Sequence, residues 1–425
     1  MTKKAIAFLC TILCAFIFTS CMELSVEDML SAPSLTTDQI SIINALEAQG
    51  EKFTLLYPSS GDRRTPIQFI DLDGDNVYEA TVFYNVEANG ETTARFAVLE
   101  KTTEEWRVVS VVDGAGTDVE SISVLRITNS AKRTMLVEWA LANADEHKLT
   151  AYRYADDAID VAFEDFCTDM VVYDIDDDAF SEFIYIKATT AYEPYIISCV
   201  KIEEDNFLSY GRHMLTEDVM ECLNFVGGKL GDGRKAVFVD ENLGNGFKVT
   251  EVFVLSDKKL IKLTINENET FTLDEISSRS VNLLEARRLF DDEVIYIPSA
   301  VKPTSTVLQP DAWTFWYTVN GDALEYSFAT YIESGYKLAL TVPDEWLSAV
   351  TIRRSENEPR LIEITREETG EVIFSLKVLT VGEDSDYYTA RGFDFVKQSG
   401  SYRYYALVNC TDEEYQFIRS NFIIL

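Results

Sequence analysis

Apolar and polar residues alternate along most of this chain. From Phe53 to about Tyr331, short β-branched and aromatic runs recur between clusters of Gly, Asn and Asp. They are Ala80 to Tyr84, Ala94 to Leu99, Trp106 to Val112, Met135 to Trp139, Phe183 to Lys187, Tyr195 to Ile202, Ala236 to Val239 and Val249 to Leu255. Runs of this period, bounded by turn formers, predict strands. No helix-length apolar stripe interrupts them, which excludes a parallel sheet with crossover helices and leaves a sandwich, a barrel or a propeller. One short helix is expected before them: Thr36-Thr37-Asp38-Gln39 forms a capping box, Ile40, Ile43 and Leu46 share a face, and Gly50 stops it.

An internal repeat narrows the choice. Phe69-Ile70-Asp71-Leu72-Asp73-Gly74-Asp75-Asn76-Val77-Tyr78-Glu79 leads into one strand, and Val172-Tyr173-Asp174-Ile175-Asp176-Asp177-Asp178-Ala179-Phe180-Ser181-Glu182 into another. Weaker copies around Arg126 to Ser130, Gly228 to Gly233 and Arg288 to Glu293 keep the frame and lose the acids. The glutamate position is then Glu79, Thr134, Glu182, Lys235 and Tyr296. A strand-only period of about 50 residues has room for four strands and predicts a β-propeller, here of about five blades over residues 51–333. Phe53 to Tyr57 is expected to add a strand to the last blade and close the ring, removing exposed edges.

The acids of the two intact copies predict a cation site. Asp71, Asp73, Asp75 and Glu79 alternate along one loop, Asp174, Asp176, Asp178 and Glu182 along the other, and the carbonyls of Val77 and Phe180 fall between them. Ca2+ takes six to eight hard oxygens at ~2.3–2.6 Å, and four such carboxylates repel one another unless a cation neutralises them. The degenerate copies place Arg126, Lys229 and Arg288 in or near the loop instead. A left-handed turn residue suits Asn76 better than Ala179, so the first loop is expected to bind more tightly. These copies resemble the FG-GAP and VCBS repeats of integrin-like propellers. That resemblance implies a propeller, often with calcium in its loops and often without catalysis.

The amino terminus is an address. Lys3 and Lys4 precede an apolar run from Ala5 to Phe18, shorter than the ~20 residues a spanning helix needs. This predicts a secretory signal over residues 1–20 and a tether with the single helix over 21–50. Phe18-Thr19-Ser20-Cys21 resembles the lipobox of bacterial surface lipoproteins. The resemblance implies a diacylglycerol on Cys21 and a place on the outer face of the cell membrane; two acyl chains anchor stably where one does not.

Beyond residue 333 the pattern changes to a small α/β module. Tyr336 to Trp346 is an alternating strand ended by Pro343, and it resembles the opening of PsbP-like sandwiches, modules that bind or pack rather than catalyse. Strands are expected at Val350 to Arg353, Leu361 to Thr365, Ile373 to Leu379 and Tyr402 to Leu407, with a closing helix from the capping box Thr411 to Glu414.

Charge and chemistry set the function class. With 37 Lys plus Arg against 72 Asp plus Glu, the formal net charge is −35, which argues against nucleic acid as a partner. An apolar content of 47% supports a packed core and excludes disorder. Only His147 and His213 occur; both read as surface residues, and no GxSxG, HExxH or phosphate loop is present. Cys167, Cys199, Cys222 and Cys410 lack metal spacing and read as small buried hydrophobes, a Cys167–Cys199 bridge being the alternative. Trp313, Trp316, Tyr317, Tyr326 and Phe328 read as strand core, or else as a sugar-stacking platform. The expectation is a non-catalytic, lipid-anchored binding protein whose partner is an envelope protein or a glycan. The alternative is a carbohydrate-active propeller, either a glycosidase or a lectin-like binder.

Overall fold

The central strands of this chain's sheets are buried along continuous runs, as at Thr134–Trp139, Glu182–Ile186 and Ala236–Glu241, so the sheets bury both faces and stack. The computed structural model describes residues 36–425 except 89–90, 104, 143–145, 189–194, 205, 217–218, 264–278, 281–283, 300–312 and 356. The expected signal, Cys21 and most of the tether therefore lie outside the described residues. The fold is mainly β, built from antiparallel sheets that follow one another in chain order.

The first sheet holds β1 (Phe53–Leu55), β2 (Ile67–Ile70), β3 (Glu79–Ala88), β4 (Glu91–Lys101) and β5 (Trp106–Asp113). The second holds β6 (Asp118–Arg126), β7 (Arg133–Ala140), β8 (His147–Ala155) and β9 (Ala158–Cys167). In the third are β10 (Asp169–Tyr173), β11 (Glu182–Lys187), β12 (Ile196–Glu203) and β13 (Asn206–Met214). The fourth comprises β14 (Glu221–Lys229), β15 (Lys235–Asn242), β16 (Phe247–Ser256), β17 (Lys259–Lys262) and the short β18 (Arg279–Ser280). A fifth runs through β19 (Arg287–Arg288), β20 (Ile295–Ser299), β21 (Thr314–Asn320) and β22 (Ala323–Glu333). All five repeat markers, from Glu79 to Tyr296, stand at the start of the second strand position of their sheet.

Side-chain alternation joins neighbouring sheets. Phe83 of β3 packs on Trp139 and Val137 of the second sheet, whereas Leu136 of β7 turns to Phe183 and Tyr185 of the third. Ile184 and Ile186 then meet Val237 and Val239, and Ala236 and Phe238 meet Ile295 and Ile297. The outer face of the first sheet is covered by α1 (Thr37–Glu47), whose Thr36–Gln39 capping box forms and whose Ile42 and Leu46 pack on Ala80, Val82 and Tyr84.

One expectation is overturned. Phe53–Leu55 pairs with Tyr84, Asn85 and Val86 of β3, inside the first sheet rather than the last. The physical reason is length: β3 runs beyond the end of β2, and the preceding chain fills the edge left there.

The fifth sheet does not stop at residue 333. After a 3₁₀ turn at Ser334–Tyr336, β23 (Leu338–Val342) pairs with β22 in the same sheet. A sixth sheet lies over it: β24 (Val350–Arg354), β25 (Leu361–Arg366), β26 (Val372–Thr380), β27 (Asp394–Ser399) and β28 (Tyr402–Val408), with a single helical turn α2 (Asp386–Thr389) before β27. The helix α3 (Asp412–Ser420), capped by Thr411 and Glu414, leads into β29 (Phe422–Ile424), which pairs with β23. Between these two sheets Trp313, Phe315, Tyr317 and Trp346 form one core with Ile362, Phe374 and Ile418. Trp316 is 0% exposed, so this aromatic cluster is strand core and not a sugar platform. Among the described residues no helix is long and apolar enough to cross a membrane.

Candidate metal centre in the acidic hairpins

Both acidic segments are hairpin loops between the first and second strand positions of their sheets. In the first, Asp71 accepts from the amides of Gly74 at 2.9 Å and Asn76 at 3.3 Å, and Asp75 accepts from Val77 at 2.6 Å. Glu79, at the head of β3, accepts from the Leu72 amide at 2.7 Å. These bonds curl the loop so that oxygens of Asp71, Asp73 and Glu79 come within 4.8 Å of one another. Asn76 takes the expected left-handed conformation at φ 68°. Gly74 is left-handed too, and a Cβ there would come 2.5 Å from Ala131 of the neighbouring sheet, so the hairpin sits tightly on its neighbour.

The second loop repeats this frame. Asp174 accepts from Asp178 and Ala179, Asp178 from Phe180, and Glu182 from Ile175. Ala179 adopts φ 69° although its Cβ disfavours that region. The difference lies in the middle. Lys201 of β12, with a side chain 2% exposed, puts its Nζ 2.9 Å from Asp176, 2.7 Å from Asp178, 2.5 Å from Glu182 and 3.2 Å from the Phe180 carbonyl. Four of the five residues expected to ligate a cation thus surround an ammonium. Lys235 of the fourth sheet holds the fifth, Asp174, at 2.7 Å. Burial lowers the pKa of Lys201, but the carboxylates of Asp178, Glu182 and Asp176 outweigh it and keep the ammonium charged well above the ordinary lysine range.

Lys201 was missed in the sequence, although it left a signal: a lone lysine between Val200 and Ile202 in an apolar strand. Registers place its counterpart in the first sheet at Glu100, since Phe183 pairs with Val200 as Ala80 pairs with Leu99. Glu100 instead takes a hydrogen bond from the Tyr154 hydroxyl. Among the described residues, no lysine or arginine forms an ion pair with Asp71, Asp73, Asp75 or Glu79. Burial, opposed by the Leu72 amide and reinforced by the charges of Asp73, Asp75 and Asp71, pushes Glu79 up to about 7. A folded carboxyl titrating above its ordinary 4.5 binds a proton that the unfolded chain has already released. The stability that Glu79 contributes to the calcium-free protein is therefore lost as pH rises from about 4.5 to about 7, and Glu79→Gln makes thermal melts less steeply pH-dependent across that window, by the share of this one group.

Other candidate groups fall elsewhere. His213 is a strand residue whose Nε2 lies 2.6 Å from the Leu260 carbonyl, tying the third sheet to the fourth. His147 is not in a surface turn; it opens β8 and is half-buried beside Glu138. Cys167 and Cys199 are buried and free, in different sheets, so the alternative of a bridge between them is not realised.

No known protein family and no curated protein matches the chain. Among solved structures, it has a distant likeness to Sqt1 from Chaetomium thermophilum, at 9% identity over 72% of this chain and 73% of that one, with a TM-score of 0.32. The exotype rhamnogalacturonan lyase YesX is similar at 12% identity over 79% of this chain and 73% of its own, with a TM-score of 0.32. A protein from Lactobacillus plantarum is similar at 9% identity over 76% of this chain and 94% of its own, with a TM-score of 0.28.

Proposed function

We propose that the protein is a non-catalytic binding module, held at the outer face of a cell membrane through a lipid on Cys21, with calcium in its first acidic hairpin. Its body is then a propeller-like array of about five blades over residues 51–333, and the α/β module over 334–425 extends the fifth sheet through β23 and β29. Asp71, Asp73, Asp75, Glu79 and the Val77 carbonyl are the ligands. In the second loop, built from Asp174, Asp176, Asp178, Phe180 and Glu182, Lys201 supplies the positive charge and an ion would have to displace it. The observation that carries the reading is this contrast: three carboxylates converge in each loop, Asp174, Asp176 and Glu182 beside a buried ammonium, and Asp71, Asp73 and Glu79 with no lysine or arginine paired to them among the described residues. A cage of hard oxygens without a lysine suits Ca2+. Its role is structural, because an ion bound only by the folded form stabilises it by mass action, about 2.7 kcal/mol at a hundredfold excess over Kd.

Calcium titrated into the purified full chain should raise the melting temperature and release heat, and Asp73→Asn should abolish both. Absence of any calcium-dependent heat or shift at millimolar ion overturns the site. Cys21→Ser should move the protein from the membrane fraction to the soluble one.

A glycan is favoured over a protein as the partner by one surface feature. Tyr78 and Phe69, 60% and 40% exposed, flank a hollow of about 530 Å³ with Lys101 and Asp38 at its rim, next to the proposed calcium loop. Exposed rings beside hydrogen-bonding groups suit sugar faces. Binding on a glycan array that Tyr78→Ala removes supports this partner; silence on the array favours an envelope protein.

A further inference from the structure

The second sheet carries a mixed donor cluster that the acidic hairpins do not use. Cross-strand pairing sets His147 opposite Cys167 on one side and Ala140 on the other, two residues along β7 from Glu138. Glu138 Oε1 then lies 3.7 Å from His147 Nδ1 and 3.6 Å from Cys167 Sγ, and all three donor atoms lie within 4.8 Å of one another.

Of these separations, the 3.6 Å one is a hydrogen bond that the Cys167 thiol donates to Glu138, and the 3.7 Å one is too long for an N–H···O hydrogen bond. They match the edges of a metal tetrahedron: Zn–N and Zn–O bonds of ~2.0–2.2 Å and Zn–S of ~2.3 Å set ligand atoms about 3.4–3.6 Å apart. His147 Nδ1 is buried and has no hydrogen-bond partner. The other oxygen of Glu138 accepts from the Ser121 hydroxyl, which turns Oε1 toward the imidazole and the thiol. Cys167 is 0% exposed and closes the back of the cluster. Glu138 and His147 line a cavity of about 580 Å³ that also meets Glu120, Asp169 and Arg63. Two of the three donor residues therefore meet the cavity, and the third, Cys167, is fully buried.

We propose that Glu138, His147 and Cys167 bind Zn2+, with water or a small anion from the cavity as the fourth ligand. One sulfur, one imidazole nitrogen and one carboxylate oxygen form a donor set of intermediate softness that selects zinc over Ca2+ or Mg2+, which take oxygen alone. As the S–Zn bond forms, the Cys167 thiol proton leaves to solvent. The site is independent of the calcium reading, since it lies in another sheet and shares no residue with the acidic loops.

Co2+ added to the reduced, metal-free full chain tests the assignment. The expected result is one equivalent bound, with a near-ultraviolet thiolate-to-cobalt charge-transfer band and the visible bands of a tetrahedral ion, both bleached by Zn2+. Cys167→Ser removes the charge-transfer band, and Cys410→Ser leaves it. Loss of the supporting Ser121 hydroxyl in Ser121→Ala weakens zinc about 10–100-fold, and His147→Asn and Glu138→Gln weaken it further. If Cys167→Ser does not fold, the His147 and Glu138 variants decide alone. Absence of the charge-transfer band, or wild-type zinc affinity in His147→Asn, overturns the proposal.

Discussion

Lys201→Met lowers the stability of the calcium-free protein by about 3–5 kcal/mol, the range seen when one partner of a buried ion pair is removed. Methionine keeps the length and apolar stem of lysine, so packing changes little. What changes is charge. Asp176, Asp178 and Glu182 are left facing one another around a site whose ammonium was 2% exposed, and Glu182 is 0% exposed. The variant regains stability with millimolar calcium or at low pH, because a divalent ion or protons take over the neutralising role. The wild-type second loop shows no such calcium gain. Urea unfolding with chelator and with calcium measures both effects, in a background carrying Asp73→Asn so that the first loop is silent. A loss well under 1 kcal/mol, or one that calcium leaves untouched, would falsify the view that Lys201 occupies a cation position.

The packing of the first two sheets rests on one ring, and Trp139→Ala should cost about 3–5 kcal/mol. Trp139 is 0% exposed, lies 6.0 Å from the ring of Phe83 and 6.5 Å from that of Phe96, and donates from Nε1 to the Tyr152 hydroxyl at 3.1 Å. Gly114 lies against it so closely that a Cβ there would come 2.5 Å from the indole. The neighbours cannot collapse into the space the indole leaves, because they belong to two hydrogen-bonded sheets. Phenylalanine fills most of the volume, so Trp139→Phe loses less. Chemical denaturation ranks the variants; an alanine no worse than phenylalanine would place the inter-sheet contact elsewhere.

Much of this architecture is legible in the amino-acid sequence. The strand runs and the two capping boxes are local signals, dictated by which side chains can face water and which backbone amides need a partner at a helix end. The repeat markers Glu79, Thr134, Glu182, Lys235 and Tyr296 located the second strand position of five sheets because each hairpin repeats the same spacing. The acidic loops were legible as well, since alternate carboxylates on a tight turn must converge whatever lies around them.

Contacts between distant segments were not legible in that way. Phe53–Leu55 reads as a strand anywhere, and the edge it fills is defined by the relative lengths of β2 and β3. The aromatic segment from Trp313 to Tyr317 reads as strand core, but what covers it is the sixth sheet, added later in the chain. Local patterning thus specified the strands, their hairpins and the negative charge of both loops, because those depend on neighbours a few residues away. Whether a loop holds its own cation, and whether a histidine meets a cysteine and a glutamate, depended on strand register and sheet stacking. Those place Lys201 in one cage and gather Glu138, His147 and Cys167 at one end of the second sheet, and no single stretch of chain encodes either distance.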